Sequence, residues 1–352
     1  SYPTNTEALH KSSKIQRRSP LVERREFYLK VLIYGDIHLS TRNRARHRSY
    51  PDESLHYFEF ITDQAEALGV DCIVGLGDLT YGNFGNLKYR EIFEELLDRQ
   101  LRQTKGRRYE LQGNHDISAG GYSEYDFYTS RGKIKTAERI VGEHVVIDML
   151  NYGDPAKYTV EGGLTIDQDP AKKHIVLCHD FLQFRDSKLG GYGEPYIIEE
   201  LVGLKGADWI ICGHIHDMLS DRGMVHGGNS CNLFYPGAMA RPVTKGEIME
   251  KAAIIVIDTD AEQDCVSIYE VQLLPVEVSY DLQRVEKAKA EKARKQELVL
   301  VAGELRDAIR NITPDGGRRT AYDIIRDNRQ VSIEVRDKAL EYLQSVGMGD
   351  SQ

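Results

Sequence analysis

Short apolar runs recur along most of the chain and alternate with longer amphipathic segments. The run at 28–34 is β-branched and aromatic and stops at Gly35, a pattern typical of a buried strand. Residues 53–68 and 87–103 instead carry their apolar positions at helical spacing. Further strand-like runs cover 71–76, 108–111, 174–178, 209–212, 252–258 and 266–271. This alternation predicts βαβ units in a layered α/β domain.

The middle and the tail of the chain show other patterns. Residues 144–170 contain short apolar runs broken by Gly and Asp, which predicts a second layer of strands. A charged helical sequence extends from about 282 to 311, and two shorter helices are predicted to begin near Thr320 and Ser332. We therefore expect a polar basic arm, an α/β domain and a small C-terminal helical appendage. Their predicted bounds are 1–27, 28–278 and 279–352.

The composition is that of a globular protein. Hydrophobic residues make up 41% of the 352 residues, and no apolar run approaches the roughly 18 residues of a membrane span. The N-terminal residues are polar and basic and lack the apolar core of a signal peptide. The five cysteines are dispersed, and Cys72, Cys178 and Cys212 lie in apolar runs, so we expect reduced thiols in the core. These features predict a soluble, cytoplasmic protein without a membrane partner.

The charge is uneven along the chain. A net charge of -9 does not favour general coating of nucleic acid, although local charge matters more than the sum. A cationic segment follows the first predicted strand and contains Arg42, Arg44, Arg46 and Arg48. Such a cluster can contact phosphates without reading sequence, as in a DNA-binding protein. The alternative is an exposed loop that is merely solvated.

Five short segments with metal-ligand chemistry each follow a predicted strand. They are Asp36-Ile37-His38, Gly77-Asp78, Gly113-Asn114-His115-Asp116, Cys178-His179-Asp180 and Gly213-His214-Ile215-His216. Their Asp, Asn and His side chains suit Mn, Fe, Zn or Mg. Each segment alone is common and usually structural. The ordered set is far more specific, because ligands in α/β proteins gather at the carboxyl ends of strands.

These residues can hold a pair of metal ions. Two divalent cations roughly 3.5–4 Å apart need a bridging anion, and the Asp78 carboxylate has two oxygens to share. Asp36 and His38 occupy alternate positions, so both can reach one metal. The remaining candidate ligands are Asn114, His179, His214 and His216.

The neighbouring residues suggest how such a site would act. A metal pair lowers the pKa of a bound water and clamps phosphate oxygens. His115 adjoins a ligand without obviously being one, so it is the candidate general acid or transition-state stabiliser. Asp116 and Asp180 are expected to hydrogen-bond neighbouring histidines and orient them. The set therefore predicts hydrolysis of a phosphoester.

The five segments resemble the signature of the calcineurin-like metallophosphoesterases over about residues 28–275. The resemblance implies a four-layer α/β fold, a β-sandwich flanked by helices, with a binuclear metal centre in the catalytic domain. It also implies that His115 is catalytic. One metal would be held by Asp36, His38, Asp78 and His216, and the other by Asp78, Asn114, His179 and His214.

Within that superfamily the chain is most similar to the Mre11/SbcD-type DNA repair nucleases, and more loosely to versions encoded by large phages. The similarity lies in Asp36-Ile37-His38-Leu39, Tyr235-Pro236-Gly237-Ala238, Arg241-Pro242 and Lys245-Gly246-Glu247. It implies DNA as a partner, Mn as the first choice of metal, a homodimer, and a Rad50/SbcC-type ATPase bound by the C-terminal helices. The chain departs from the family because only a short helical tail follows residue 275, in place of the capping domain. The alternative to ATPase binding is that the C-terminal helices pack on their own domain.

Three functions are therefore weighed. The first is a two-metal exo- or endonuclease acting on DNA. The second is a phosphodiesterase or phosphatase acting on small nucleotides or phosphoproteins. The third is a non-catalytic recruitment module, which is disfavoured because every proposed ligand position holds a competent residue and His115 is present.

Overall fold

The computed structural model describes most of the chain and divides it into two compact units. The first comprises Ser1–Ser40, Ser54–Arg241 and Lys251–Leu273, and the second comprises Thr41–Glu53, Pro242–Glu250 and Leu274–Gln352. The described residues are 29–40, 50–81, 86–117, 122–136, 139–159, 166, 169–187, 189, 193–240, 250–275, 287, 290, 321–327 and 333–345. The predicted basic arm and nearly all of the predicted helix at 282–311 lie outside them.

Strands and helices alternate in the first part of the chain, as predicted. The strands are β1 Lys30–Tyr34, β2 Cys72–Gly75, β3 Arg108–Glu110, β4 Ile140–Val141, β5 Val145–Leu150, β6 Lys173–His179, β7 Leu182–Gln183, β8 Tyr196–Ile197, β9 Trp209–Gly213, β10 Leu219–Met224, β11 Ser230–Tyr235, β12 Lys251–Asp258 and β13 Val266–Gln272. The helices are α1 Tyr50–Leu68, α2 Leu87–Gln103, α3 Glu124–Ser130, α4 Ala321–Asp327 and α5 Ile333–Ser345. Among the described residues, no helix is both long and apolar enough to cross a bilayer.

The first unit contains two main sheets. One has the strand order β13-β12-β1-β2-β3, in which β1, β2 and β3 are parallel and β12 is antiparallel to β1 and β13. The other has the order β10-β11-β9-β6-β5-β4, with β11, β9, β6 and β5 parallel. The parallel strands point their carboxyl ends to one edge of each sheet, where the predicted ligand segments begin.

The main core lies between the two sheets. Val31 and Ile33 of β1 face this core together with Ile175 and Leu177 of β6. The period-2 alternation places Leu32 and Tyr34 on the opposite face of β1. That outer face is covered by helices, since Phe58 of α1 lies 6.2 Å from Tyr34 and 4.7 Å from Phe93 of α2, measured between ring centroids.

A second cluster covers the outer face of the other sheet. It joins Val176 and Cys178 of β6 with the short 3₁₀ segments Ile198–Glu200 and Val202–Leu204. The order is therefore helices, sheet, sheet and a loop-rich layer, which confirms the predicted α/β sandwich. Cys72, Cys178 and Cys212 are all buried, as expected from their apolar surroundings.

A buried polar network lies under the helical layer. Arg108 of β3 pairs with Glu110 at 2.6 Å, and both side chains are fully buried. The Tyr34 hydroxyl donates to Glu110 at 2.8 Å and also contacts Arg108. Gln100 of α2 accepts from Arg108 Nε at 3.1 Å and donates to Thr62 of α1. The network thus ties two strands to two helices through charge-assisted hydrogen bonds.

The described part of the second unit includes the two helices at the C-terminal end of the chain. Helices α4 and α5 contact each other, and Ile325 and Ala339 are buried. Arg326 forms ion pairs with Asp323 and Asp327 on its own helix. The predicted N-caps Thr320 and Ser332 lie outside the described residues.

Candidate metal centre

The candidate ligands are presented by loops at the carboxyl ends of parallel strands. Asp36 and His38 follow β1, Asp78 follows β2, and Asn114 follows β3. The other sheet contributes His179, which is the last residue of β6, and His214 and His216, which follow β9. Both sheets belong to the first unit, so segments far apart in sequence converge on one site.

One group of ligand atoms consists of Asp36, His38 and His216, all within 4.8 Å of one another. The Nε2 atoms of His38 and His216 are 3.2 Å apart. Asp36 Oδ2 lies 3.6 Å from His38 Nε2 and 3.8 Å from His216 Nε2. Atoms that share one ion through bonds of roughly 2.0–2.2 Å lie about 3 Å apart, so this group fits one metal.

A second group lies beside the first. Asp78 Oδ2 is 3.4 Å from His179 Nε2, and the Asn114 amide oxygen is 3.2 Å from the same nitrogen. The Asn114 oxygen is also 2.9 Å from His214 Nδ1. Asp78 Oδ2 reaches back to within 3.6 Å of His38 Nε2. The structure thus brings all seven candidate ligands together, with Asp78 between the two groups as a bridge requires.

The backbone of the ligand loops is unusual. His38, Asp78 and His214 have φ values of 48°, 50° and 76°, in the left-handed region that non-glycine residues seldom adopt. Hydrogen bonds between loops hold them there: His38 N–H donates to Asp78 O at 2.9 Å, and His214 N–H donates to the Asp36 carboxylate at 3.2 Å. Such strain is common where a binding site is over-determined by its surroundings.

Glycines next to the ligands leave room for them. A Cβ atom on Gly113 would lie 2.1 Å from Asp78 Oδ1, and one on Gly77 would lie 2.6 Å from His179 Nδ1. Gly77 also has a φ of 100°. Any larger residue at either position would displace a ligand, which explains the glycines in these two segments.

The candidate ligands strongly shift one another's pKa values. Burial opposes ionisation of Asp78, but the adjacent His179 and His38 outweigh it and hold the pKa of Asp78 well below its usual range. Burial opposes protonation of His179, yet Asp78 and Asp36 raise the pKa of His179 to about 10. Burial, followed by the nearby His38, lowers the pKa of His216 to about 3. Asp78 is therefore anionic and His216 neutral at neutral pH, the forms that bind metal, whereas His179 has to release a proton when it coordinates one.

His115 occupies the position expected of a catalytic side chain. It is exposed, and its ring nitrogen lies within 4.8 Å of ligand atoms of His38 and Asp78. Its backbone N–H donates to Asp78 Oδ1 at 2.8 Å, which fixes the loop without using the ring. The imidazole is therefore next to the metal positions and open to a substrate. Its catalytic role stays a prediction.

Asp116 and Asp180 make hydrogen bonds of a different kind from those predicted. Asp116 accepts from the backbone N–H groups of Gly113 at 2.9 Å and Thr80 at 3.4 Å. Asp180 accepts from the N–H groups of Gly153 and Phe181. Both carboxylates thus support the loops that carry the ligands, through backbone amides in place of histidine rings. Burial, and then the charge of Asp78, raises the pKa of Asp116 well above its usual range.

Two tyrosines beside the site were not predicted from the sequence. Tyr81 lies 4.5 Å from the His115 ring and Tyr152 lies 6.0 Å from the His214 ring, both measured between centroids. The position of Tyr81, close to Asp78 in the sequence, is the feature from which its place beside the site could have been predicted. Tyr152 follows β5, and no feature of the sequence indicates that it lies near the site. The four arginines Arg42, Arg44, Arg46 and Arg48 lie outside the described residues, so their predicted DNA contacts stay predictions.

A separate cavity of about 500 Å³ lies at the amino ends of β6 and β9, where it is lined by Lys173 and Asp208 among others. It is at the opposite end of these strands from the ligand loops. Lys173 faces Asp208 at 3.5 Å, and Lys172 donates to the Gly142 carbonyl at 2.8 Å. The cavity has no part in the metal centre.

Comparison with known proteins identifies the family. A family model described as calcineurin-like phosphoesterase matches residues 29–218. Among solved structures, the chain is similar to Yfce, a phosphoesterase from E. coli, with 18% identity, coverage of 70% of this chain and 100% of that chain, and a TM-score of 0.34. A search of curated proteins found no match. Because the family match extends across more than half of the chain and includes every candidate ligand, this protein belongs to the calcineurin-like phosphoesterases, which hydrolyse phosphoesters with divalent metal ions.

Proposed function

We propose that this phosphoesterase is a two-metal phosphodiester hydrolase acting on DNA, an exo- or endonuclease of the Mre11/SbcD type that serves DNA repair or recombination. The observation that carries the proposal is Asp78 between two groups of ligand atoms, with the exposed His115 beside them. Two-metal sites of this kind stabilise in-line displacement at phosphorus. Manganese is the proposed metal, with Mg, Fe or Zn as alternatives for the same Asp, Asn and His ligands.

A segment that resembles the repair nucleases supports the choice of DNA. The N–H groups of Ala238 and Met239 donate to the carbonyls of His216 at 3.0 Å and Asp36 at 2.8 Å. The Gly237 carbonyl approaches so closely that a Cβ on Gly35 would lie 2.1 Å from it. The segment after β11 therefore holds the loops of the first ligand group in place. The residues that resemble the nucleases thus include a part of the chain that contacts the metal site.

The chain's own residues define the chemistry around the metals. When bound, two divalent cations supply the Lewis acidity that activates water and the positive charge that stabilises the phosphoryl transition state. Asp78 orients both halves of the ligand set, and Asn114 adds a neutral oxygen where a further carboxylate would reduce the positive charge of the site. His115 is exposed beside this set, so its imidazole can donate a proton to the leaving oxygen of a phosphodiester.

Contacts to the DNA backbone are proposed for Arg42, Arg44, Arg46 and Arg48, which follow the first ligand segment in the sequence. Replacing all four with Gln should weaken DNA binding and reduce the slope of log affinity against log salt concentration, because fewer counterions are released. An unchanged slope would remove these arginines from the DNA interface.

The wider assembly is proposed from the same resemblance. The C-terminal helices, including α4 and α5, would bind a Rad50/SbcC-type ATPase, the nuclease would form a homodimer, and both would act in the cytoplasm. Co-purification of the full chain with such an ATPase, compared with a chain that ends before residue 279, tests the first of these statements.

The decisive experiment is digestion of end-labelled single- and double-stranded DNA with added Mn²⁺. The protein is compared with Asp78→Ala, which removes the bridge, and with Asp221→Ala, a matched change on β10 outside the ligand groups. Cleavage by the protein and by Asp221→Ala, but not by Asp78→Ala, supports a two-metal nuclease, and the product ladder gives its polarity. Absence of DNA cleavage by a chain that still hydrolyses bis-p-nitrophenyl phosphate contradicts nuclease action by the isolated chain.

The second candidate is a phosphodiesterase or phosphatase acting on small nucleotides or phosphoproteins. The net charge of -9 favours it, because a polyanionic duplex is repelled by an acidic protein unless local basic residues compensate. Hydrolysis of cyclic nucleotides or phosphopeptides without DNA cleavage would establish it.

A further inference from the structure

Tyr81 lies against the first ligand group. Its ring centroid is 4.5 Å from that of His115 and 5.9 Å from that of His38. Its backbone N–H donates to the Leu39 carbonyl at 3.0 Å, so the residue is held to the loop that carries His38. The side chain is nevertheless 43% exposed. A large aromatic ring is thus fixed at the rim of the site with much of its surface open to solvent.

Tyr152 occupies the corresponding position beside the second ligand group. Its ring centroid is 6.0 Å from that of His214 and 6.3 Å from that of His179. Its backbone N–H donates to the Gln112 carbonyl at 2.9 Å, and the neighbouring Asn151 side chain accepts from Gln112 N–H at 2.8 Å. The ring is 41% exposed. Each half of the metal centre therefore has its own anchored, exposed tyrosine.

We propose that Tyr81 and Tyr152 are stacking platforms for the two nucleobases that flank the scissile phosphate. This inference rests on the proposed hydrolysis of phosphodiesters. A phosphodiester in a nucleic acid has a nucleoside on each side, and the two tyrosines lie beside different ligand groups, Tyr81 at His38 and Tyr152 at His214. Aromatic rings stack on any base, because every base has a π-face, so this contact selects nucleotides without selecting sequence.

The placement has a consequence for the substrate class. A base that stacks on a protein ring beside the reacting phosphate has left its neighbour in the duplex, and unstacking is least costly in single strands and at frayed or mismatched ends. The platforms therefore favour unpaired nucleotides at the metal centre over intact duplex. A phosphopeptide offers no base to either ring, so the same residues discriminate against phosphoprotein substrates.

Binding of a fluorescent base tests the proposal with a readout other than turnover. The probes are the 5′- and 3′-monophosphates of 2-aminopurine deoxyriboside, whose fluorescence is quenched by stacking, titrated into the Mn-loaded full chain. Deoxyribose 5-phosphate, which lacks a base, reports binding to the metals alone. The variants are Tyr81→Ala, Tyr81→Phe, Tyr152→Ala and Tyr152→Phe. The matched control is Tyr269→Ala on the edge strand β13, where the ring is 44% exposed and outside the ligand groups.

The expected result is quenching with the parent chain, both Phe variants and Tyr269→Ala. Each Ala variant should bind at least one aminopurine probe about tenfold more weakly, with diminished quenching. Affinity for deoxyribose 5-phosphate should stay the same throughout. Ala variants that bind and quench like the parent overturn the proposal. An equal loss of affinity for deoxyribose 5-phosphate also overturns it, because that result would show that the tyrosines merely hold the ligand loops.

The outcome is separable from that of the proposed nuclease. Quenching that depends on both tyrosines, in a chain that does not cut DNA, supports the platforms and contradicts DNA as the substrate. DNA cleavage by the parent chain together with unchanged quenching in the Ala variants supports the nuclease and overturns the platforms.

Discussion

Glu110 accepts a hydrogen bond from the backbone N–H of Gly77 at 3.3 Å. Gly77 immediately precedes Asp78, the carboxylate that lies between the two ligand groups. Glu110 is fully buried on β3 and is paired there with Arg108 at 2.6 Å. A charged network in the interior of the domain is thereby connected to the loop that carries Asp78.

Arg108→Met should destabilise the fold strongly, because it leaves the Glu110 charge buried without its partner. Breaking a buried ion pair in this way costs about 3–5 kcal/mol. Arg108 also donates to the Tyr109 carbonyl and to Gln100, so several hydrogen bonds are lost together. Urea unfolding of the variant and the parent chain measures the difference, and a loss of less than about 1 kcal/mol would be incompatible with an ion pair that is essential to the core.

The double variant Arg108→Met with Glu110→Leu separates stability from metal binding. Removing both charges should recover part of the stability lost in Arg108→Met, because no unpaired charge remains. It should not recover Mn²⁺ affinity, since the Gly77 N–H has then lost its acceptor and the Asp78 loop is less well held. Isothermal titration with Mn²⁺ provides the second readout. Parent-like affinity in the double variant would disconnect the network from the site.

The sequence pattern predicts the strands, and the candidate ligand segments stand out in it, for physical reasons. A buried strand must be apolar, as in 28–34, and a metal ligand must be one of a few residue types, so both leave local signals. The Arg108–Glu110 pair leaves none, because a charged residue in a short strand normally indicates an exposed face. Its burial depends on Tyr34, which is distant in the sequence, and on Gln100 of α2, which only the packing of that helix brings to Arg108. Tyr152 was missed for the same reason, since only the tertiary fold brings it to His214.

His115→Asn should reduce turnover by about 10²–10⁴-fold while Mn²⁺ affinity is retained, because the ring lies beside the ligands and its backbone contact to Asp78 survives the change. The measurement is kcat for bis-p-nitrophenyl phosphate and for DNA across a range of pH. Activity equal to that of the parent chain would show that His115 has no catalytic role.

Arg99→Met should cost a small amount of stability that depends on pH. Arg99 of α2 pairs with Glu66 of α1 at 2.5 Å and with Asp63 at 2.8 Å. The hydrogen bond from Arg99 lowers the pKa of Glu66 below its ordinary value of 4.5, so the pair contributes stability above that pH and loses it as pH falls through the lowered value. Both acids are exposed, which limits the effect to under about 1 kcal/mol.

Urea unfolding of Arg99→Met and of the parent chain, repeated from about pH 7 to about pH 3, checks the sign. The difference between the two proteins should shrink as the pH falls. A difference that grows on acidification would show that the carboxylates do not stabilise the fold through Arg99.

Gly113→Ala should weaken metal binding far more than it weakens the fold. The new Cβ would lie 2.1 Å from Asp78 Oδ1 and 2.4 Å from Asp78 N, so the Asp78 carboxylate has to move. Gly106→Ala is the matched control, because its φ of 81° makes alanine costly but nothing lies within 4 Å of the added methyl. The control should lose about 1 kcal/mol of stability and keep its Mn²⁺ affinity. For Gly113→Ala, displacement of Asp78 should lower Mn²⁺ affinity and the rate of hydrolysis together. Parent-like values of both would mean that the loop relaxes without moving the Asp78 carboxylate. The close approach of Gly113 would then not be needed for metal binding.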